Sequence, residues 1–460
     1  MASIGFILEQ IKKEPQLLID RLPVGEVCVQ LRLEWRDRVL GPSQTVALFA
    51  KQIANGNRSC ASVRHWGERP FSAQAYCKAR QRLSLAVLTV LSRHLCDAAA
   101  RYIKPARGGK SMLFVGRHRV FVVDGSSFSM PDTPQLQEHF GQPGHQARRC
   151  GFPVAHLLAM FDLKTGMLVD AIASPLRTHD LKHVSQLHPH LREGDLLLGD
   201  TAFGSYTHFA LLLQAKLHGL MPMHQRRIVD FTPGRAHVRQ DEVGEVDDDN
   251  RQQPRSRWIK SLGRDDQLVE WYKPAICPKQ MDKQQYKALP DSIIVREVRR
   301  RVYRPELKRW VELVIVTTLL DEKAYPADRL IELRLQRWQV EVDLRHMKTT
   351  MGLDVLKCKT VDGVMKELAM FTLVYNLVRL VILEATARQK TEPNRIGFKD
   401  VLVWLCTARP GEAMPRFIVN KIRAPRVEPR ATKRRPKAYD LMNRPRQEMR
   451  NALINQGKAA

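Results

Sequence analysis

Three acidic residues stand in this chain where packing explains them poorly. Asp124 closes the apolar run "RVFVVDG" and is followed by Gly125, and Asp200 closes "DLLLGD" and is followed by the small residues of "TAFGS". Ligands and catalytic groups of α/β sheets collect at the carboxyl ends of strands. The third acid, Glu341, lies in "RLQRWQVEVDLRHMK" (334–348), one glutamate among four basic side chains and a row of apolar ones. At about 100° of rotation per residue, Arg337, Glu341, Arg345 and Lys348 fall within an arc of about 80°, with Arg334 inside it. Leu333, Val340, Leu344 and Met347 form a separate stripe about 60° wide. The helix therefore has a packing side unrelated to its charges, and the charged face is free to look into a site.

Three converging carboxylates repel one another unless a cation neutralises them. Hard oxygen ligands suit Mg²⁺ or Mn²⁺, which keep waters and accept phosphate oxygens as remaining ligands. Two such ions about 3.5–4 Å apart can activate a water or a 3′-hydroxyl and stabilise the leaving oxygen in phosphodiester cleavage. The basic residues beside Glu341 then hold phosphates, arginine by forking onto two oxygens and lysine as a point charge. A plainer alternative is a pair of i,i+4 salt bridges, Arg337 with Glu341 and Glu341 with Arg345, worth a few tenths of a kcal/mol each.

The chain as a whole agrees with a polyanionic partner. Its 75 Lys and Arg outnumber 48 Asp and Glu, a net charge of +27, which favours nucleic acid over an anionic membrane surface. A span needs about 20 mostly apolar residues. The best candidate, "LAMFTLVYNLVRLVIL" (368–383), is interrupted by Asn376 and Arg379 and reads as a buried core helix. The N-terminus has neither a basic n-region nor a small-residue cleavage site, so a cytoplasmic protein without a membrane partner is expected. Eight cysteines without a CxxC predict reduced, mostly buried thiols. His179 and His183, and His188 and His190, are closely spaced but have no third ligand nearby, so no zinc site is expected.

The elements that must position the acids change along the chain. Residues 1–105 read as helical, with one helix running from a Ser43 cap to Gly56 and another over "SAQAYCKARQRLSLAVLTVLSRHL" from Ser72. From 105 onward, "RVFVVDG", "AHLLAMFDL", "MLVDAIA" and "DLLLGD" read as strands, the second and third joined by a "KTG" hairpin, before a helix over 205–219. "VFVV" and "LLLG" suit strands covered on both faces. Between 226 and 310, alternating charged and β-branched residues predict strands with one wet face. The run "DDD" at 247–249 reads as a solvated loop. Long helices follow over 327–350 and 364–388. The Pro- and Arg-rich stretch 421–446 is too polar and too broken for a packed core and reads as an extended basic tail.

Taken together, "RWQVEVDLRHMK" resembles the Tyr-x2-Arg-x3-Glu-x6-Lys signature of the IS4 family of bacterial DDE transposases, with Arg337, Glu341 and Lys348 at the required spacing. "VVDGSSF" and "GDTAFGS" look like the segments bearing that family's two aspartates. "AYCKARQRL", "FDLKTGML" and the "EPRATKRRPKAYDLM" tail are also similar to it. One departure stands out: Arg334 occupies the tyrosine's place.

The resemblance implies an α/β fold, an RNase H-like catalytic domain with a β-rich insertion, preceded by a helical N-terminal domain. The corresponding division is 1–105 for DNA binding, 106–225 for the first part of the core and 226–320 for the insertion. The Glu341 helix falls in 321–390, and 391–460 is a helical and basic tail. It further implies a DNA transposase acting as a homodimer on terminal inverted repeats and target DNA, nucleoid-associated in a bacterium. Asp124, Asp200 and Glu341 would be catalytic ligands of two Mg²⁺ or Mn²⁺ ions, and Arg334, Arg337, Arg345 and Lys348 would contact DNA. A tryptophan of the insertion would stack a flipped base, Trp310 first among Trp258 and Trp271. Two other functions stay open, a metal-dependent nuclease and a sequence-specific DNA-binding relative without catalysis.

Overall fold

A computed structural model of the protein describes residues 2–35, 38–102, 118–144, 147, 150–176, 178, 182–238, 253–279, 281–304, 309–420 and 444–455. The run 247–249, His179 and residues 421–443 of the basic tail lie outside them.

The first hundred residues form six helices, α1 (Ala2–Lys13), α2 (Val24–Gln30), α3 (Pro42–Ala54), α4 (Cys60–Val63), α5 (Ala73–Arg82) and α6 (Leu85–Tyr102). Helix α3 starts two residues earlier than expected, with Pro42 in its first turn and Gly41 rather than Ser43 at the cap. Proline has no N–H to leave unsatisfied there, and its fixed φ already matches the helix. Ser72 does cap α5, its hydroxyl accepting from the Ala75 N–H at 3.1 Å. The single helix expected to follow is two helices bent by 75°. Leu83 turns to an extended conformation (φ −61°, ψ 125°), and its side chain and the face Val87, Leu88, Leu91 and Leu95 all enter one core.

The middle of the chain builds one mixed sheet. Its strands are β1 (Val120–Ser129), β2 (Val154–Asp162), β3 (Leu168–Pro175), β4 (Leu196–Leu198), β5 (His218–Pro222), β6 (Ser256–Gly263), β7 (Asp266–Tyr272), β8 (Ser292–Arg304) and β9 (Arg309–Thr317). Their order is β3-β2-β1-β4-β5-β9-β8-β7-β6. Strands β1, β4 and β5 run parallel, and the other neighbours are antiparallel. The 226–310 strands thus extend the same sheet, because β9 pairs with β5. Residues 120–123 and 196–198 are buried throughout, as continuous apolar strands between two layers must be. The "KTG" turn is the β2–β3 hairpin, with Gly166 at φ +68°.

Short helices α7 (Pro134–Phe140), α8 (Val184–Leu187), α9 (Tyr206–Gln214) and α10 (Lys283–Lys287) lie between strands. The helix expected over 205–219 ends at Gln214, and its remainder turns through Lys216 (φ +54°) into β5. Strand β4 needs a second neighbour, and His218 to Leu220 supply it. The helix expected over 327–350 is α11 (Ala327–Gln336) and α12 (Trp338–Arg345), followed by a π-turn over His346–Thr350.

Helix α13 (Val361–Gln389) is slightly longer than predicted and runs through the core, followed by α14 (Phe398–Thr407) and α15 (Arg446–Asn455). It is long and apolar enough to cross a membrane, yet 94% of its most apolar window is buried inside the protein. Its polar interruptions are used. Asn376 accepts from the Leu168 N–H and donates to the Leu168 carbonyl, both at 2.9 Å. Arg379 donates to the Thr165 carbonyl at 2.8 and 3.2 Å, and the Tyr375 hydroxyl donates to the Gly166 carbonyl at 2.8 Å. Helix α13 therefore grips the β2–β3 hairpin, and a Cβ at Gly166 would strike the Arg379 guanidinium. All eight cysteines are free. Cys28 and Cys150 are buried, and the other six, expected to be mostly buried, are half-buried, with Cys60, Cys96, Cys277, Cys358 and Cys406 packed against the hydrophobic cores.

Candidate active site

The parallel strands bring the two aspartates near each other. Strand β1 pairs with β4 as far as Val122 and Leu198, each two residues before an aspartate, and the charge of Asp200 acts on Asp124. Asp124 does not end its strand as expected. Strand β1 continues to Ser129 because β2 pairs with it along its whole length, while β4 stops on the other side. Asp200 follows Gly199, where a Cβ would press into the Phe203 ring at 2.7 Å, and caps the turn Thr201–Phe203. Its Oδ1 accepts from the Ala202 N–H at 2.8 Å.

Helix α12 packs against β1. The stripe Leu333, Val340, Leu344 and Met347 is buried as its spacing predicts, which turns Glu341 toward Asp124. Arg337 stands between them. Its Nη1 lies 3.0 Å from Asp124 Oδ2 and its Nη2 lies 2.7 Å from Glu341 Oε1. The side chain is 13% exposed, and its Nε is buried without a hydrogen-bond partner. The break between α11 and α12 falls at this residue, where the Arg337 N–H bonds the Arg334 carbonyl three residues back.

Burial is the main cause that holds the Asp124 carboxyl above its ordinary range. Arg337 and the Gly125 N–H oppose that rise, and the charges of Asp200 and Glu341 add to it. The three acids therefore share one electrostatic neighbourhood. Among the described residues no group of three or more His, Cys, Asp or Glu is gathered closely enough to hold one ion. The donor set is nevertheless all carboxylate oxygen, the hard chemistry that divalent Mg²⁺ or Mn²⁺ takes, and the Arg337 guanidinium stands in as the cation between two of its members.

The other basic residues are spread around this centre. Arg334 lies half-buried in the last turn of α11, Arg345 is exposed and Lys348 lies half-exposed on the π-turn. Of the two expected i,i+4 salt bridges, Arg337 with Glu341 forms; among the described residues Arg345 makes none with Glu341. Trp310 is 59% exposed on the β8–β9 hairpin. Trp271 is fully buried under the Arg227 guanidinium, 3.5 Å from its ring centre, and so is a core residue. Trp258 is half-buried on β6.

Two aromatic residues near these elements were not anticipated. Tyr303 lies directly across from Trp310 with ring centres 5.6 Å apart, and both are exposed. Only the strand register shows the pair. Trp338, exposed at the start of α12, sits one turn before Glu341, and its i,i+3 spacing was the signal that could have found it.

The sequence profile of the transposase DDE domain matches residues 116–377, more than half of the chain, from just before β1 to within α13. The chain belongs to the DDE transposase family. As a DDE transposase it is an enzyme of DNA transposition, and the IS4-family resemblance of its motifs is borne out by its relatives. It is 25% identical over 396 residues to the transposase InsG for insertion sequence element IS4 of Escherichia coli (strain K12), covering 81% of this chain and 79% of that one. The putative transposase InsZ of the same strain is 27% identical over 161 residues, covering 34% of this chain and 51% of that one. Among solved structures, the piggyBac transposase synaptic complex with hairpin DNA has a TM-score of 0.41 at 10% identity, covering 89% of this chain and 80% of that one.

Proposed function

We propose that this DDE transposase binds the terminal inverted repeats of its own element as a homodimer, cuts them, and joins the freed 3′-hydroxyls to target DNA. The observation that carries the reading is the Arg337 bridge between Asp124 and Glu341, two acids 217 residues apart in the chain, with the charge of Asp200 also acting on Asp124. Strand order β3-β2-β1-β4-β5, antiparallel in its first half and parallel in its second, supports an RNase H-like core. We read 1–105 as the helical DNA-binding domain, 226–320 as the β-rich insertion and 391–460 as the tail. The protein would work in the cytoplasm, on DNA.

Asp124 and Glu341 would hold divalent ions through the oxygens now facing Arg337, and Asp200 through the oxygen not engaged by Ala202. Two bound Mg²⁺ or Mn²⁺ ions would supply an activated water or 3′-hydroxyl and stabilise the leaving oxygen. Arg337 would then turn from the carboxylates to a DNA phosphate, with Arg334, Arg345 and Lys348 holding neighbouring phosphates. Arg334 gives this chain a charged contact where the IS4-type signature has a phenol. Trp310, with Tyr303 beside it, would stack a base lifted from the duplex, a contact worth about 1–3 kcal/mol.

The test is a labelled duplex carrying the element's own end, incubated with the full chain, Mg²⁺ and a supercoiled target plasmid. The reading expects both a cut end and a joined product. Cutting without joining would make the protein a nuclease, and specific binding with no cutting in Mg²⁺ or Mn²⁺ would make it a DNA-binding relative.

A further inference from the structure

The turn that carries Asp200 is held from outside the sheet. His208, in the first turn of α9, places Nδ1 2.9 Å from the Phe203 carbonyl. A carbonyl oxygen only accepts, so Nδ1 carries the proton and Nε2 is left as an acceptor. The group facing that Nε2 at 3.3 Å is Nε2 of His188, which must then donate. The rings are nearly parallel and meet at their Nε2 edges, with centres 5.5 Å apart and planes 18° apart. Both side chains are buried, His208 at 1% and His188 at 9% exposure. One arrangement of protons satisfies the chain, and it runs in one direction, from His188 through His208 to the Phe203 carbonyl.

Phe203 belongs to the Asp200 turn. Its N–H donates to the Asp200 carbonyl at 3.2 Å, while the Asp200 carboxylate accepts from the Ala202 N–H. The Phe203 ring is fully buried against Gly199. The turn is one residue short of any strand pairing, since β4 ends at Leu198. The bond from His208 is thus a constraint on Asp200 that does not depend on the sheet.

We propose that His208, oriented by His188, is a positioning residue that fixes the Asp200 carboxylate for divalent-ion binding. The proposal rests on the reading of Asp200 as a ligand. Side chains that orient metal ligands typically contribute about 10–100-fold to metal affinity. The experiment titrates Mn²⁺ alone into the full chain without DNA, by electron paramagnetic resonance, for wild type, Asp200→Asn, and His208→Ala, His208→Asn and His208→Gln. Asparagine sets an amide N–H where the histidine Nδ1–H was, whereas glutamine sets it one bond further out.

Loss of affinity by about tenfold in the Ala and Gln variants, with recovery to within about threefold of wild type in the Asn variant, supports the proposal. Equal weakening in all three would mean that the ring's volume matters and its Nδ1–H does not, which overturns it. Wild-type affinity in His208→Ala together with loss in Asp200→Asn overturns it while leaving the Asp200 reading intact. Wild-type affinity in Asp200→Asn removes that reading and the proposal with it.

Discussion

A guanidinium between Asp124 and Glu341 neutralises like charges that would otherwise push the strand and the helix apart. In the proposed ion-binding role of these acids, it competes with the cation for the same carboxylate oxygens. Replacing Arg337 by Gln therefore has two expected effects. Mn²⁺ binding to the DNA-free protein tightens on the order of tenfold, about 1.4 kcal/mol, as measured by the same resonance titration. Affinity for duplex DNA falls, and the slope of log affinity against log salt shrinks by about one phosphate contact. Unchanged Mn²⁺ affinity would show that the arginine does not compete. The acids and Arg337 stand out in the sequence because an acid closing an apolar run before small residues and the i,i+4 spacing are local signals, but the expected strand end at Asp124 is not found, since β1 runs on to Ser129. The bridge to Asp124 was not, since a helical wheel shows which residues share a face but not what faces them. Arg345 makes the point, having the same spacing from Glu341 and no ion pair with it among the described residues.

At the scale of elements, helices and turns fix the acids through buried polar contacts. Asp343 lies on α12 two residues from Glu341, fully buried, 3.8 Å from Arg379 on α13. Arg379 in turn holds the β2–β3 hairpin, so the pair ties the Glu341 helix to the sheet. Asp343→Ala leaves a buried guanidinium without its carboxylate, a change that typically costs about 3–5 kcal/mol, and urea unfolding should show a loss near the lower end because Thr165 still accepts. The histidine pair gives a pH signature. Burial pushes His208 down to about 4, and burial with the neighbouring His208 pushes His188 down to about 3. The unfolded chain takes up those protons near pH 6.5, so this contribution is fully present above that pH and is lost as pH falls toward 4. Thermal melts from pH 7.5 to 5 should decline less steeply for the His188→Asn, His208→Asn double variant than for wild type; parallel declines would contradict this. The sequence showed Asn376 and Arg379 as interruptions of an apolar run, and the hairpin explains them. It did not show the His188–His208 pair, the break at Arg337 or strand β5, each of which is set by partners distant in the chain.

For the whole molecule, composition carried much of the reading: +27 of charge favours a polyanion, and α13 is apolar because it is the core. The order of strands was less legible. Alternating residues between 226 and 310 announced strands, but only the β5–β9 pairing shows that they continue the central sheet. The salt dependence of DNA affinity should accordingly be steep, as phosphate contacts release counterions. The most direct test of the central claim compares wild type with Glu341→Gln, a substitution that keeps shape and removes charge, on a duplex bearing the element's end in Mg²⁺. Cleavage and 3′-end joining by wild type, and loss of both in the variant with DNA binding retained, is the predicted result. Equal cutting and joining by the two proteins would contradict the assignment of Glu341 to the reaction.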